Sequence, residues 1–279
     1  MKLLVDGREA YAYTGGKPFD PALPCVVFVH GACHDHSPWT LLARWLAHHG
    51  HGVLAVDLPG HRRSAGPPLP DVEALATWIL ALLDAAGVAR AALVGHSMGA
   101  LIALEAAAKA PERCTHLVMI GMAYPMKVSD ALLATAAADP LRAMAMVNAW
   151  SISTLATKPG FPGPGNWHHG SDLALRRLVQ ASAPGVNLFH HDFDMCNRYA
   201  GGMQAAARRH RHRDGAQGAR RHRARRSPHD HRVTRRHAGC PAQRAGLISR
   251  PRRAPRSPRR ASGGRSRPHG ASPARRCPA

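Results

Sequence analysis

The residues whose types and spacing speak most directly of chemistry are Gly95-His96-Ser97-Met98-Gly99. A serine hydroxyl is a poor nucleophile until a base takes its proton, and it must also be held in a fixed, accessible place. Here the serine lies between an apolar run, AALV, and a stretch of helical composition, MGALIALEAAAKA. A serine at such a strand-to-helix corner projects its hydroxyl above the sheet, and small flanking glycines permit the tight turn and close packing. The start of the helix also aims free backbone N–H groups and a positive dipole end at developing negative charge. A second motif, Val29-His30-Gly31-Ala32-Cys33, ends a strand-like run and opens a loop. Ser97 is therefore the expected nucleophile, Gly95 and Gly99 the residues that let the corner close, and the N–H groups of Ala32 and Met98 the expected oxyanion donors. His30 reads as a residue that ties loops together. Asp57-Leu58-Pro59-Gly60-His61-Arg62-Arg63-Ser64 reads as a strand end followed by a turn that shapes a pocket wall.

These positions require a sheet behind them. Apolar runs closed by Gly, Pro or a polar turn recur at CVVFVHG, HGVLAVDLPG, AALVGHS and HLVMIGM, and stretches of helical periodicity lie between them. Strands apolar on both faces that alternate with helices predict an α/β fold with a mostly parallel sheet and flanking helices. KLLVDGREAYAY predicts a hairpin about Asp6-Gly7. From Ser129 the pattern changes to short helical pieces broken by KPGFPGPGNWHHG, which predicts an inserted helical lid. The expected organisation is a core over 1–128, a lid over 129–207 and an Arg-rich, disordered tail over 208–279.

The three motifs, in this order, resemble the α/β-hydrolase fold family, whose loops after successive strands carry HG-x, D-x-P-G-H-G-x-S and G-x-S-x-G. The resemblance covers residues 1 to 207 and implies a serine hydrolase that passes through an acyl-enzyme at Ser97 on an ester, thioester or lactone. It implies a histidine base and an orienting acid, in the chain order Ser, Asp, His. Serine rather than aspartate at position 97 disfavours the alkyl-enzyme routes of related dehalogenases and epoxide hydrolases. Arg62 stands where the family usually has glycine. The resemblance implies two further strand ends, one bearing Asp and one bearing His, and no run of that kind follows; the catalytic acid and base are not identifiable. His190, His191, Asp192 and Asp194, in HHDFD, are expected to solvate or cap the lid. Trp150, Phe161 and Trp167 are expected to line an apolar pocket for a small acyl substrate.

Charge divides the chain unevenly. Residues 1–207 hold 15 basic and 15 acidic side chains, whereas 208–279 hold 23 Arg, no Lys and two Asp, so the net +21 resides in the tail. In those 72 residues Val233, Leu247 and Ile248 are the sole strongly apolar side chains, too few to build a core. The seven histidines there follow no apolar strand that could aim them. A tail of this composition is what a GC-rich coding sequence gives when read out of frame. Sliding the codons by one base permits a Thr/Val-rich strand at 210–217, Asp at the register of Arg220 and Pro-Gly-His at 249–251. A frame change near Ala207 is the expectation, with impaired catalysis as its result. A hydrolase-like binding protein without catalysis, or nucleic-acid binding through a genuine basic tail, are the alternatives; specific nucleic-acid recognition is not expected. Six scattered cysteines without C-x-x-C spacing suggest free thiols and no metal site. No cofactor, no membrane partner and a cytoplasmic location are expected, and the oligomeric state is left open.

Overall fold

Asp6 and Gly7 both adopt positive φ, 47° and 74°, the backbone that a two-residue hairpin turn demands. The computed structural model, which describes residues 1–151 and 168–212, accordingly pairs β1 (Lys2–Val5) with β2 (Arg8–Tyr13) in antiparallel register, Val5 facing Arg8. From this hairpin the sheet continues through β4 (Gly52–Val56), β3 (Cys25–Val29), β5 (Ala91–His96) and β6 (Cys114–Ile120). The order is β1-β2-β4-β3-β5-β6; β2 joins β4 antiparallel, and the last four strands are mutually parallel.

Every residue of β3 and β4 is buried because helices cover both faces. Val27, Val29, Leu54 and Val56 pack with α2 (Val72–Ala85) and α3 (Met98–Lys109). Val26, Phe28, Val53 and Ala55 pack on the other side with Trp39 and α1 (Thr40–His48). Asp71 caps α2, its carboxylate accepting from Ala74 N–H at 2.7 Å. From Met98 to Ala108, α3 is buried on all sides, and its one acidic residue, Glu105, is paired: Tyr199 Oη donates at 2.8 Å and Arg208 at 2.9 Å.

Among the described residues, β6 is followed by α4 (Asp130–Ala138), α5 (Pro140–Ser151), α6 (His168–Ala181) and α7 (Leu188–Arg198). They enclose a separate small core of Leu132, Ala136, Ala143, Met144, Val179, Leu188 and Phe189, which also receives Cys33 from the sheet side. The helix α6 begins at His168, inside the segment expected to be loop; no proline follows Pro164 there, and Leu173, Leu175 and Val179 supply a helical stripe. Residues 202–212 are also helical, so ordered backbone extends past position 208, where the tail was expected to begin. Arg209 donates to the carbonyls of Pro111 and Cys114, and docks this stretch beside the start of β6. The remainder of the tail, from residue 213 on, lies outside the described residues, and with it most of the stretch that a shifted frame would turn into strand and the positions that it would turn into Asp and His.

Among the described residues β6 pairs with β5 alone, and Val118, Met119 and Ile120 are partly exposed. No helix among them is long and apolar enough to cross a membrane.

Candidate active site

Because β3 and β5 are parallel neighbours with Val29 opposite Gly95, the loops that leave them emerge side by side at the carboxyl edge of the sheet. Ser97 sits at the corner between β5 and α3 with φ 53° and ψ −119°, a conformation that L residues rarely adopt. Its N–H donates to the Ile120 carbonyl at 2.9 Å and its own carbonyl accepts from Ala100 N–H at 2.9 Å, so backbone bonds on both sides hold the corner. The two glycines are required by contact. A Cβ at Gly95 would overlap the Gly99 carbonyl, and one at Gly99 would overlap the carbonyls of Val29 and His30. Sheet and helix backbones therefore touch without side chains between them.

The loop after β3 approaches closely as well. A Cβ at Gly31 would lie 3.3 Å from Ser97 Cβ and 3.0 Å from His96 Nδ1. Ala32 is thereby brought beside Ser97, and both line one cleft of about 810 Å³. Met98 begins α3, where the first N–H groups have no partner inside the helix. The opposite wall comes from the helices beyond the sheet: Val147 and Ser151 of α5, Asp172, Leu175 and Arg176 of α6, and Phe193 of α7. Trp150, expected on the pocket wall, is instead 63 % exposed and is not a lining residue; Val147, Leu175 and Phe193 supply the apolar surface. Phe161 and Trp167 lie outside the described residues.

His30 is buried and bridges two loops. Its Nδ1 donates to Gly31 O at 2.9 Å and its Nε2 accepts from Leu58 N–H at 3.1 Å, which fixes a neutral tautomer. Burial, reinforced by the neighbouring His61, pushes its pKa down to about 3. His34 and His96 are the described imidazoles that line the cleft. Both nitrogens of His34 face acceptors, Ala32 O at 2.9 Å and Asp172 Oδ1 at 2.8 Å, and Arg176 Nε holds the other Asp172 oxygen at 2.9 Å. Those bonds hold the Asp172 carboxyl well below the usual carboxylate range, in spite of its burial. Partial burial, with repulsion from His34 and Arg176, lowers the pKa of His96. Among the described residues, none hydrogen-bonds the Ser97 hydroxyl.

The HHDFD segment departs from expectation. Asp192 neither solvates nor caps: it is fully buried on α7, where its Oδ2 accepts from Cys33 N–H at 2.8 Å and from His61 Nε2 at 2.9 Å. His190 and His191 belong to the first turn of the same helix, and Asp194 pairs with Arg198 at the surface.

Comparison with known proteins places the fold. Residues 24–162 match the family described as the alpha/beta hydrolase fold. The chain belongs to the α/β-hydrolase fold family. A relative, the dihydrolipoyllysine-residue acetyltransferase component of the acetoin cleaving system of Pseudomonas putida, is 34 % identical over 173 residues, 59 % of this chain and 46 % of that protein. The chain thus spans about half the length of this curated relative. Among solved structures, an N-acyl homoserine lactone degrading enzyme superposes with a TM-score of 0.55 at 22 % identity, over 74 % of each chain. A carboxylesterase structure from Nitrososphaera gargenis superposes with a TM-score of 0.57 at 17 % identity, over 75 % of this chain and 77 % of that one.

One departure from the family's motif now has a physical reason. Arg62, where α/β hydrolases usually carry glycine, holds φ at 48°, the left-handed region that favours glycine. Two contacts offset the strain: Arg62 N–H donates to Ser182 Oγ at 3.0 Å, and Nε donates to Asp35 Oδ2 at 3.2 Å. Asp57 is likewise engaged, by the N–H and Nδ1 of His36 and the N–H of Arg63. Asp35, His36 and Asp57 bring possible ligand atoms within 4.8 Å of one another, but hydrogen bonds already occupy these carboxylates, a satisfied loop lock rather than a set of donors aimed at an ion.

The long-range pairs His34–Asp172 and His61–Asp192 were missed from sequence. A partial signal existed for one of them, since Asp172 and Arg176 stand four apart, the spacing of an ion pair on one helix face. Nothing local marks the partners 138 and 131 residues away.

Proposed function

We propose that this α/β hydrolase acts on an ester, thioester or lactone by attack of Ser97 Oγ on the acyl carbon. The observation that carries the reading is the strained Ser97 backbone at the strand-to-helix corner, open to the cleft and flanked by two sources of N–H groups. In the first step a base removes the Ser97 proton as the Oγ–C bond forms, and the carbonyl π pair moves onto oxygen. The N–H groups of Ala32 and Met98 receive that oxyanion. Its collapse expels the alcohol or thiol, which takes up the proton, and water then releases the acid from the acyl-enzyme. The lining of Val147, Leu175 and Phe193 suits an apolar acyl or leaving group.

We also infer that turnover is slow in this chain. Both nitrogens of His34 are engaged, and no described imidazole accepts from Ser97. What remains is positioning and the oxyanion donors, which still accelerate attack. The same observation favours a second reading, a hydrolase-like pocket that binds an acyl compound without cleaving it. A fluorophosphonate probe separates the two: covalent labelling that Ser97→Ala abolishes supports the nucleophile, and saturable ligand binding without labelling supports the binding protein. For the tail, reading the coding DNA across codons 200–225 tests the frame change; a one-base shift that restores a strand with Asp and a later loop with His supports a damaged copy of an active enzyme.

A further inference from the structure

The loop that carries Ala32 has an anchor 159 residues away that no requirement of packing explains. Gly31 to His34 form a turn, closed by His34 N–H to Gly31 O at 3.3 Å, with Cys33 at the third position and φ 51°. That position calls for positive φ and is ordinarily glycine or asparagine. A cysteine there needs outside support, and Cys33 N–H donates to Asp192 Oδ2 at 2.8 Å. The carboxylate is fully buried, as is its second partner, His61, whose Nε2 donates to the same oxygen. His61 Nδ1 in turn faces the Pro59 carbonyl at 3.1 Å, so both ring nitrogens face acceptors, an arrangement that favours the charged ring. The other carboxylate oxygen faces His191 Nδ1 at 3.2 Å.

We propose that Asp192 is a positioning residue that holds the Cys33 turn, and through it aims the adjacent Ala32 N–H into the cleft, with His61 as its counter-charge. The geometry gives the carboxylate two separable tasks. Its charge is balanced by His61, a matter of stability. Its oxygen accepts from Cys33, a matter of where the neighbouring peptide points. An aliphatic residue on α7 could fill the space but could not hold a left-handed Cys33, because the buried N–H would lose its acceptor. Burial works against charge at both groups; the attraction of His61 and the three hydrogen bonds nevertheless keep the Asp192 carboxyl far below its ordinary range.

The two tasks come apart by mutation. Asp192→Ala alone strands a buried imidazolium, whereas Asp192→Ala combined with His61→Leu replaces the ion pair with apolar groups, a change that commonly restores stability. We expect the double variant to melt near the parent while amide exchange at Cys33 accelerates about tenfold or more relative to β3 and β4, as for a lost buried hydrogen bond. Asp192→Asn, whose amide oxygen can still accept from Cys33, should keep the parent's protection there. Wild-type protection at Cys33 in a stable double variant, or loss of protection in a folded Asp192→Asn, overturns the proposal. Fluorophosphonate labelling is the second readout and rests on the Ser97 reading: the double variant should label about tenfold more slowly at unchanged probe affinity. If the parent protein does not label at all, the Ser97 reading fails, and the exchange data still decide the role of Asp192.

Discussion

The sheet side of the cleft and the helical side are held together by different physics. Around Ser97 the architecture is a matter of backbone: parallel strands, a helix buried on every side, and two glycines at which carbonyls replace side chains. Across the cleft, α4 to α7 share a small apolar core and are tied to the sheet by polar pairs, the buried His61–Asp192 and the partly buried His34–Asp172 among them. A site built of backbone tolerates change in polar side chains and fails when a methyl group is added. A site built of buried charges behaves in the opposite way, and it responds to pH.

The largest effect should come from the backbone side. Gly99→Ala sets a Cβ against the carbonyls of Val29 and His30, which no rotamer can relieve, and should cost about 3 kcal/mol or more or prevent folding, as read by urea denaturation. Next, Asp192→Ala leaves His61 unpaired and should cost about 3 to 5 kcal/mol. If it unfolds at the parent's midpoint, the two sides do not differ as described. Comparable in size is Leu101→Ala in α3, about 2 to 5 kcal/mol for a fully buried leucine.

The pH dependence sharpens the contrast. Burial opposes the charge on His61, but the Asp192 carboxylate and its hydrogen bond outweigh it and raise the pKa from 6.5. That contribution is fully present below 6.5 and is lost as pH rises through the raised value. Asp192, lowered from 3.8 by His61 and its hydrogen bonds against the cost of burial, contributes above 3.8, and that is lost as pH falls through the depressed value. Thermal melts should therefore show the pair's contribution greatest between 3.8 and 6.5, and the Asp192→Ala, His61→Leu double variant should lose this dependence. The smallest effect is expected for Arg62→Gly, where relief of positive φ offsets loss of the Asp35 pair, a net change within about 1 kcal/mol.

The same contrast explains what could be read from the sequence. Asp6-Gly7 marks the hairpin, the Val-rich runs mark strands covered on both faces, and Gly95 to Gly99 mark the corner, because each of these signals lies within a few residues of the structure it dictates. The partners on the other wall are not legible in this way. Asp192 lies in a short polar run that reads as surface, and it is buried because Cys33 and His61, far off in sequence, supply donors. Trp150 is large and apolar and yet faces outward, since α5 turns Val147 toward the cleft instead. His168 to Gly170 fall in a Pro- and Gly-rich run that reads as loop, and they are nevertheless helical.

The measurement that bears most directly on the account is intact-mass detection of a fluorophosphonate adduct on the full-length protein and on Ser97→Ala. A single adduct on the parent that is absent from Ser97→Ala, formed faster than on a free serine in water, is the predicted result; an unlabelled parent that is folded, or equal labelling of both proteins, would contradict a nucleophile at Ser97.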